Sequence, residues 1–186
     1  KAIGRRHARY VRRMLQLFEE GDLTEALRHA IPLAGSGAES GAGWSASLPS
    51  PRSSLALSPR LGVAESSWLS GPELYCHLQQ VYRRAFERLR EAGRHEEAAF
   101  VLADLLRADA EAVSYLEAHG RKRLAAELAE ARGLATGLVV RQWLVAGDAE
   151  RAIAIARRTD SFADAVLRLG RTHPGLADAL RLHWGG

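Results

Sequence analysis

The chain has 186 residues, of which alanine and leucine supply 60, and it carries a formal net charge of +4. A single cysteine, Cys76, excludes an intrachain disulfide and a cysteine-based zinc site. No run approaches the roughly 18 apolar residues that a membrane span needs, no signal peptide is visible, and strand-favouring residues are too scarce for a sheet.

The charge is unevenly placed. Residues 1–13 hold six positive charges and no acid, so the remaining 173 sum to −2. A nucleic-acid-binding surface along the body would require a basic stripe there, so no nucleic-acid partner is expected. Arginine outnumbers lysine 24 to 2, as expected of a GC-rich bacterial genome. The lone thiol fits a reducing cytoplasm, and a chain beginning at Lys1 instead of methionine reads as a piece of a longer protein.

Residues 1–33 read as a helical hairpin. Tyr10, Met14, Leu17 and Phe18 recur at helical spacing. Gly21 breaks the helix, and Asp22 with Glu25 forms a capping box for a second helix that runs through Ala30 and stops at Pro32. Residues 34–70 then turn to Ser, Gly, Ala and Pro, with Pro49, Pro51 and Pro59 close together. A connection of this length without periodicity reads as a flexible or functional loop. Trp44 and Trp68 are unusual in a solvated linker; they either tack the loop to neighbouring helices or dock on a partner.

From Gly71 the pattern is helical nearly to the end. Pro72 suits a first helical position, and Leu74, Leu78, Val81, Tyr82 and Leu89 give a long amphipathic helix closing at Gly93. Gly93, Gly120 and Gly147 are each 27 residues apart, and each is followed five residues later by alanine: Ala98, Ala125 and Ala152. Gly21 and Ala26 repeat the phrase in the N-terminal hairpin. Fixed-period repetition marks a stack of helix pairs. Glycine supplies the left-handed turn between helices, and alanine one turn into the next helix permits close approach.

Residues 93–171 are therefore predicted to form antiparallel helix pairs with turns at Gly120, near Gly133, at Gly147 and near Asp160. Residues 138–146 are apolar except for Arg141 and Gln142 and should be buried on most sides. In 149–158 the apolar stripe reads Ala149, Ala152, Ile153 and Ala156. The expected fold is an all-α, TPR-like α-α superhelix with a long irregular loop. Its helices are short, because the period falls below the tetratricopeptide's 34 or so residues. Segment 71–186 is expected to pack with 1–33 as one domain.

Several phrases resemble a known bacterial family: Gly71-Pro72-Glu73-Leu74-Tyr75, Tyr82-Arg83-Arg84-Ala85-Phe86, the stretch Glu96 to Ala103, the stretch Ala125 to Leu134, and Val139-Val140-Arg141-Gln142-Trp143. They are similar to the helical region of proteins from ternary systems that pair a MoxR-type AAA+ ATPase with a von Willebrand factor A protein and a β-propeller component. The phrase Gly21-Asp22-Leu23 to Ala30-Ile31-Pro32-Leu33 resembles the same family's first hairpin. The resemblance implies an accessory scaffold in a chaperone-like or conflict system whose ATPase is another subunit, and it carries over no site residue.

Catalytic patterns are missing. The seven histidines show no paired metal-ligand spacing and read as solvated surface; no phosphate loop or nucleophile elbow occurs. Gly35-Ser36-Gly37 lacks the strand that phosphate binding requires. Cys76 and His77 are adjacent and so diverge on a helix, which speaks against an activated thiol. Glu96, Glu97, Glu127 and Glu130 lie near arginines and read as exposed ion pairs. No catalytic residue, metal or cofactor is expected.

The N-terminal cluster is different. At 100° per residue Arg5, Arg6, Arg9, Arg12 and Arg13 fall within a sector of about 120°. They read as a solvated face, as a contact with an anionic membrane surface at the cytoplasmic side or, last of the three, as a nucleic-acid contact. Three functions follow: a non-catalytic scaffold for protein partners, a membrane-proximal cytoplasmic adaptor hung from an upstream anchor, or a hydrolase or enzyme accessory with an unrecognised site.

Overall fold

The computed structural model describes residues 2–33, 51–57 and 72–184. Among them it contains α-helices and no strand: α1 (Ala2–Glu20), α2 (Leu23–His29), α3 (Pro72–Glu91), α4 (His95–Phe100), α5 (Asp109–Ala118), α6 (Lys122–Ala131), α7 (Thr136–Val145), α8 (Ala149–Thr159), α9 (Phe162–Gly170) and α10 (Pro174–Trp184). A buried π-helical turn, Val101–Leu105, continues α4. The all-α expectation holds. Trp44, Trp68, Gly35 to Gly37 and Gly71 lie outside the described residues. The chain forms two compact units, Lys1–Ala108 and Asp109–Gly186, so the boundary falls within the 71–186 segment.

One construction ends most helices. Gly21, Gly93, Arg107, Gly120, Gly133, Gly147 and Asp160 all have positive φ, and from Gly93 onward they follow one another at intervals of 13 or 14 residues. The 27-residue period is thus two shorter steps. At six of these turns the N–H just past the left-handed residue donates back into the preceding helix or π-helical turn: Arg94 to Leu89, Ala108 to Leu102, Arg121 to Leu116, Leu134 to Ala129, Asp148 to Trp143 and Ser161 to Ala156, at 2.8–3.1 Å. This bond satisfies a carbonyl that the helix end would otherwise orphan, and each accepting residue is buried.

The next helix follows at once, and an alanine about one turn into it is fully buried: Ala26, Ala98, Ala125 and Ala152, joined by Ala112, Ala165 and Ala177. The N–H groups of Ala26, Ala98, Ala125 and Ala152 donate to the carbonyl of the residue just after the left-handed position, at 2.9–3.2 Å. The alanine is therefore pinned against the turn and the neighbouring helix together. After Gly133 the cap falls one residue later, at Ala135, and the equivalent place is taken by Val139.

In the first unit, Tyr82 on α3 is fully buried. Its hydroxyl donates to the Ile31 carbonyl (2.6 Å) and accepts from the Ile31 N–H (3.1 Å), so one side chain satisfies the extended backbone after α2. Burial pushes the Tyr82 hydroxyl far above its ordinary pKa, so it stays a donor. Asp22 caps α2 by accepting from the Glu25 N–H (3.1 Å). The reciprocal half of the expected capping box is replaced, because the Glu25 carboxylate turns to His29 (3.1 Å).

The loop expectation needs correction at 51–57. Those residues are neither helix nor strand, but Arg52 is anchored. Its N–H donates to the Arg28 carbonyl (2.9 Å), and its guanidinium bonds the Ala30 and Leu27 carbonyls and lies 5.5 Å from the Phe100 ring centre. A cation on the last carbonyls of α2 also suits the negative end of that helix.

In the second unit α5 packs on α6, α6 on α7, α7 on both α8 and α9, and α9 on α10. Helix α7 is the centre, burying Val139, Val140, Gln142, Trp143, Leu144 and Val145, as its composition predicts. At Gly137 it meets α9 so closely that an added Cβ would lie 2.7 Å from the Asp164 Cβ. The predicted stripe of α8 is corrected: Ala152, Ile155 and Ala156 are buried, Ile153 is half-buried, and Ala149 is exposed in the first turn beside the Asp148 cap.

Two kinds of substitution separate these constraints. Gly120→Ala meets open space but must hold φ +76, so it should lower unfolding free energy by about 1–2 kcal/mol. Gly137→Ala and Ala152→Trp overpack helix contacts and should cost at least about 1–3 kcal/mol. Denaturant melts measure both; a Gly120→Ala protein as stable as its parent would show that the turn does not need a left-handed residue. Tyr82→Phe orphans the buried Ile31 N–H and should cost about 1–3 kcal/mol, read from the same melts.

Candidate interaction surfaces

Two glutamates occupy one position in successive helices, three residues before a left-handed glycine. Glu117, at the end of α5, accepts two bonds from the Arg141 guanidinium (2.7 and 2.9 Å) and one from the Gln142 amide (2.8 Å), both on α7. Glu130, at the end of α6, accepts from the Trp143 indole N–H (2.7 Å) and from Arg151 Nε and a terminal guanidinium nitrogen (3.0 and 3.1 Å). The Arg151 guanidinium also lies 4.5 Å from the Trp143 ring centre, a cation–π contact.

The bond from Arg141 holds the Glu117 carboxyl below its ordinary pKa, with Gln142 adding to the effect. The bond from Arg151 does the same for Glu130, helped by Trp143. Carboxylates held ionised and occupied in this way stitch helices together; they are poor general acids or bases at neutral pH. Glu130 is thus more than the exposed ion pair its sequence context suggests. The offset from glycine shared by Glu117 and Glu130 is the signal that sequence reading could have used.

The histidines are less uniform than a solvated set. His7 is buried against the first unit's core, whereas His77 and His183 are exposed. Cys76 is exposed on α3. Among the described residues no three of His, Cys, Asp and Glu come together as a metal-binding group. No helix of the described residues is long and apolar enough to cross a membrane.

The surface offers three features. On α9 and α10, Leu167 (75% exposed) and Leu182 (84% exposed) stand in solvent, and Trp184 stacks on Phe162 with rings 6.4 Å apart while staying half-exposed. In the first unit, a groove of about 540 Å³ is lined by Leu15, Phe18, Leu23 and Val81, with Arg84 and Glu91 also on its wall.

The third feature is α1. Arg5, Arg6, Arg9, Arg12 and Arg13 are all exposed, opposite the buried side chains of His7, Val11, Met14 and Phe18. The structure thus brings the five predicted arginines onto one free face. The repeat positions from Gly21 to Ala152 lie instead in turns and core.

Comparison with known proteins finds no matching family model, curated protein or solved structure.

The glutamate clusters predict a pH response. A depressed folded pKa contributes stability that is present above the unfolded value, near 4.5, and is lost as pH falls through the folded value. Unfolding measured from pH 7 to pH 3 should therefore show wild type losing stability below about pH 4.5. The gap between wild type and a Glu117→Gln/Glu130→Gln protein should shrink over that window. A constant gap would mean that the carboxylates are not held ionised by their arginines.

Proposed function

We propose that the chain is a non-catalytic protein-interaction scaffold. In this reading its helices form a TPR-like α-α superhelix, and it serves as an accessory component of a multi-protein, MoxR-type ATPase-associated system in the cytoplasm. The observation that carries the reading is the recurrence of one turn, a left-handed residue followed by a fully buried alanine. Repetition of this kind extends a surface without building a pocket. Two carboxylates support it too: Glu117 and Glu130 are consumed in bonds between helices. Leu167 and Leu182 supply apolar contact area of the sort that partners cover.

The resemblance to the MoxR–von Willebrand factor A–β-propeller systems names the partners to try. Mixed with purified ATPase, von Willebrand factor A and β-propeller subunits, the chain should co-elute with at least one on size-exclusion chromatography. It should add no nucleotide hydrolysis of its own. Leu167→Glu/Leu182→Glu should weaken that complex at least about tenfold, the usual scale for losing central apolar contacts, while its thermal melt stays unchanged. Turnover of an ester, phosphate or peptide substrate by the chain alone would overturn the scaffold reading, as would failure to bind any of the three subunits.

A further inference from the structure

We propose that the arginine face of α1 is a docking site for a bilayer surface rich in anionic phospholipids. The inference rests on α1 alone and stands or falls separately from the scaffold reading. Five observations carry it.

The first is that the arginines are unused. Many of the other arginines are paired: Arg90 with Glu87, Arg123 with Glu127, Arg168 with Asp164 and Arg181 with Asp178 on their own helices, Arg141 with Glu117 and Arg151 with Glu130 across helices. Arg84, Arg157 and Arg171 have no such partner among the described residues, but they lie on three separate segments. Arg5, Arg6, Arg9, Arg12 and Arg13 make no ion pair or hydrogen bond with any described residue.

The second is that their placement opposes the stability of their own helix. The N-terminal end of a helix carries partial positive charge and prefers acids, and the C-terminal end prefers bases. Helices α2, α3, α8 and α9 obey, each with an acid in the first turn and a base in the last. Helix α1, like α6 and α7, has no acid in its first turn and no base in its last, but α1 alone among these sets five arginines between its fourth and twelfth residues, with Glu19 and Glu20 at its end. Like charges four residues apart, Arg5 with Arg9 and Arg9 with Arg13, add repulsion. A local rule broken without gain to the fold is characteristic of a functional site.

The third concerns the rest of α1. Val11, Met14, Leu17 and Phe18 are buried in the first unit, so α1 has no apolar face to insert into a bilayer. Contact is confined to charge. The fourth is shape: the stripe from Arg5 to Arg13 is about 12 Å long at 1.5 Å per residue, and it lies on the convex side of a helix. A convex strip cannot enclose a small anion. It matches a surface whose charges move laterally to meet it, and guanidinium groups bond phosphate oxygens in pairs. The fifth is extent. A long stiff polyanion needs basic ground beyond this strip, whereas the residues after position 13 sum to −2.

The test is co-sedimentation of the chain with phosphatidylcholine vesicles, with and without about one-third phosphatidylserine, at low and high salt. Wild type should prefer the anionic vesicles at least about tenfold at low salt and lose that preference in about 0.5 M salt. R5Q/R6Q/R9Q/R12Q/R13Q should bind no better than to neutral vesicles, and lysine at the same five positions should restore binding. The control R157Q/R158Q/R168Q/R171Q/R181Q, with the same loss of charge from α8, α9 and α10, should bind like wild type. Melting curves of all variants should overlay or, for the α1 glutamines, shift upward. No anionic preference by wild type, an equal loss in the control, or equal or tighter binding to duplex DNA would each overturn the proposal. The first and last need no variant at all.

Discussion

Every helix end in water leaves carbonyls without partners, and in this chain one hydrogen bond resolves most of them. The residue just past a left-handed position donates into a carbonyl of the last turn, and that carbonyl belongs to a buried side chain such as Leu89, Leu116 or Trp143. The bond fixes where the chain leaves the helix. The next helix must then start within a residue or two, and its first inward-facing side chain lands against the turn it has just left. A small group there lets the turn and helices pack closely, and Ala98, Ala125, Ala152 and Ala165 are fully buried, with Val139 in the corresponding place after Gly133. Short helices, close packing and regular spacing are consequences of that one geometry.

This dependence explains what could be read in advance. Gly93, Gly120 and Gly147 with their alanines were visible as a period of 27 because glycine is the cheapest occupant of positive φ. The turn near Asp160 could be placed in advance, whereas the one at Arg107 could not, because an arginine in that conformation carries no signal in the sequence. Gly133 was visible but out of phase, since its cap comes a residue late and Val139 replaces alanine. The stripe on α8 was misjudged by part of a turn because alanine on either face of a helix looks alike in sequence. The face is the one that packs on α7, with Ala152, Ile155 and Ala156 buried.

The first unit depends on contacts that sequence spacing does not encode. Tyr82 reaches the Ile31 backbone across 51 residues, and Arg52 reaches the end of α2 from a stretch of Ser and Pro that looks featureless. Burial lowers the Arg52 pKa from its ordinary value, with the Asp104 carboxylate opposing the change. A partly buried guanidinium is tolerable there because the carbonyls of Leu27 and Ala30 replace its water. Two polar side chains thus do for the segment after α2 what the left-handed turn does elsewhere, and they hold residues 51–57 against the unit.

The arginines divide accordingly into two populations. Those from Arg90 onward that pair with acids sit where the fold can use them: in a last helical turn, on a glutamate of another helix, or over the face of Trp143. Those on α1 repel one another along one face, and nothing among the described residues attracts them. An excess of arginine from nucleotide bias would scatter cations among exposed positions without regard to face. It would not gather five within about a third of one helix circumference opposite its buried side and leave Glu19 and Glu20 at the wrong end. The arrangement is electrostatically unfavourable for the isolated helix and favourable only once a counter-charge lies against it. The anionic surface proposed for α1 would supply that counter-charge.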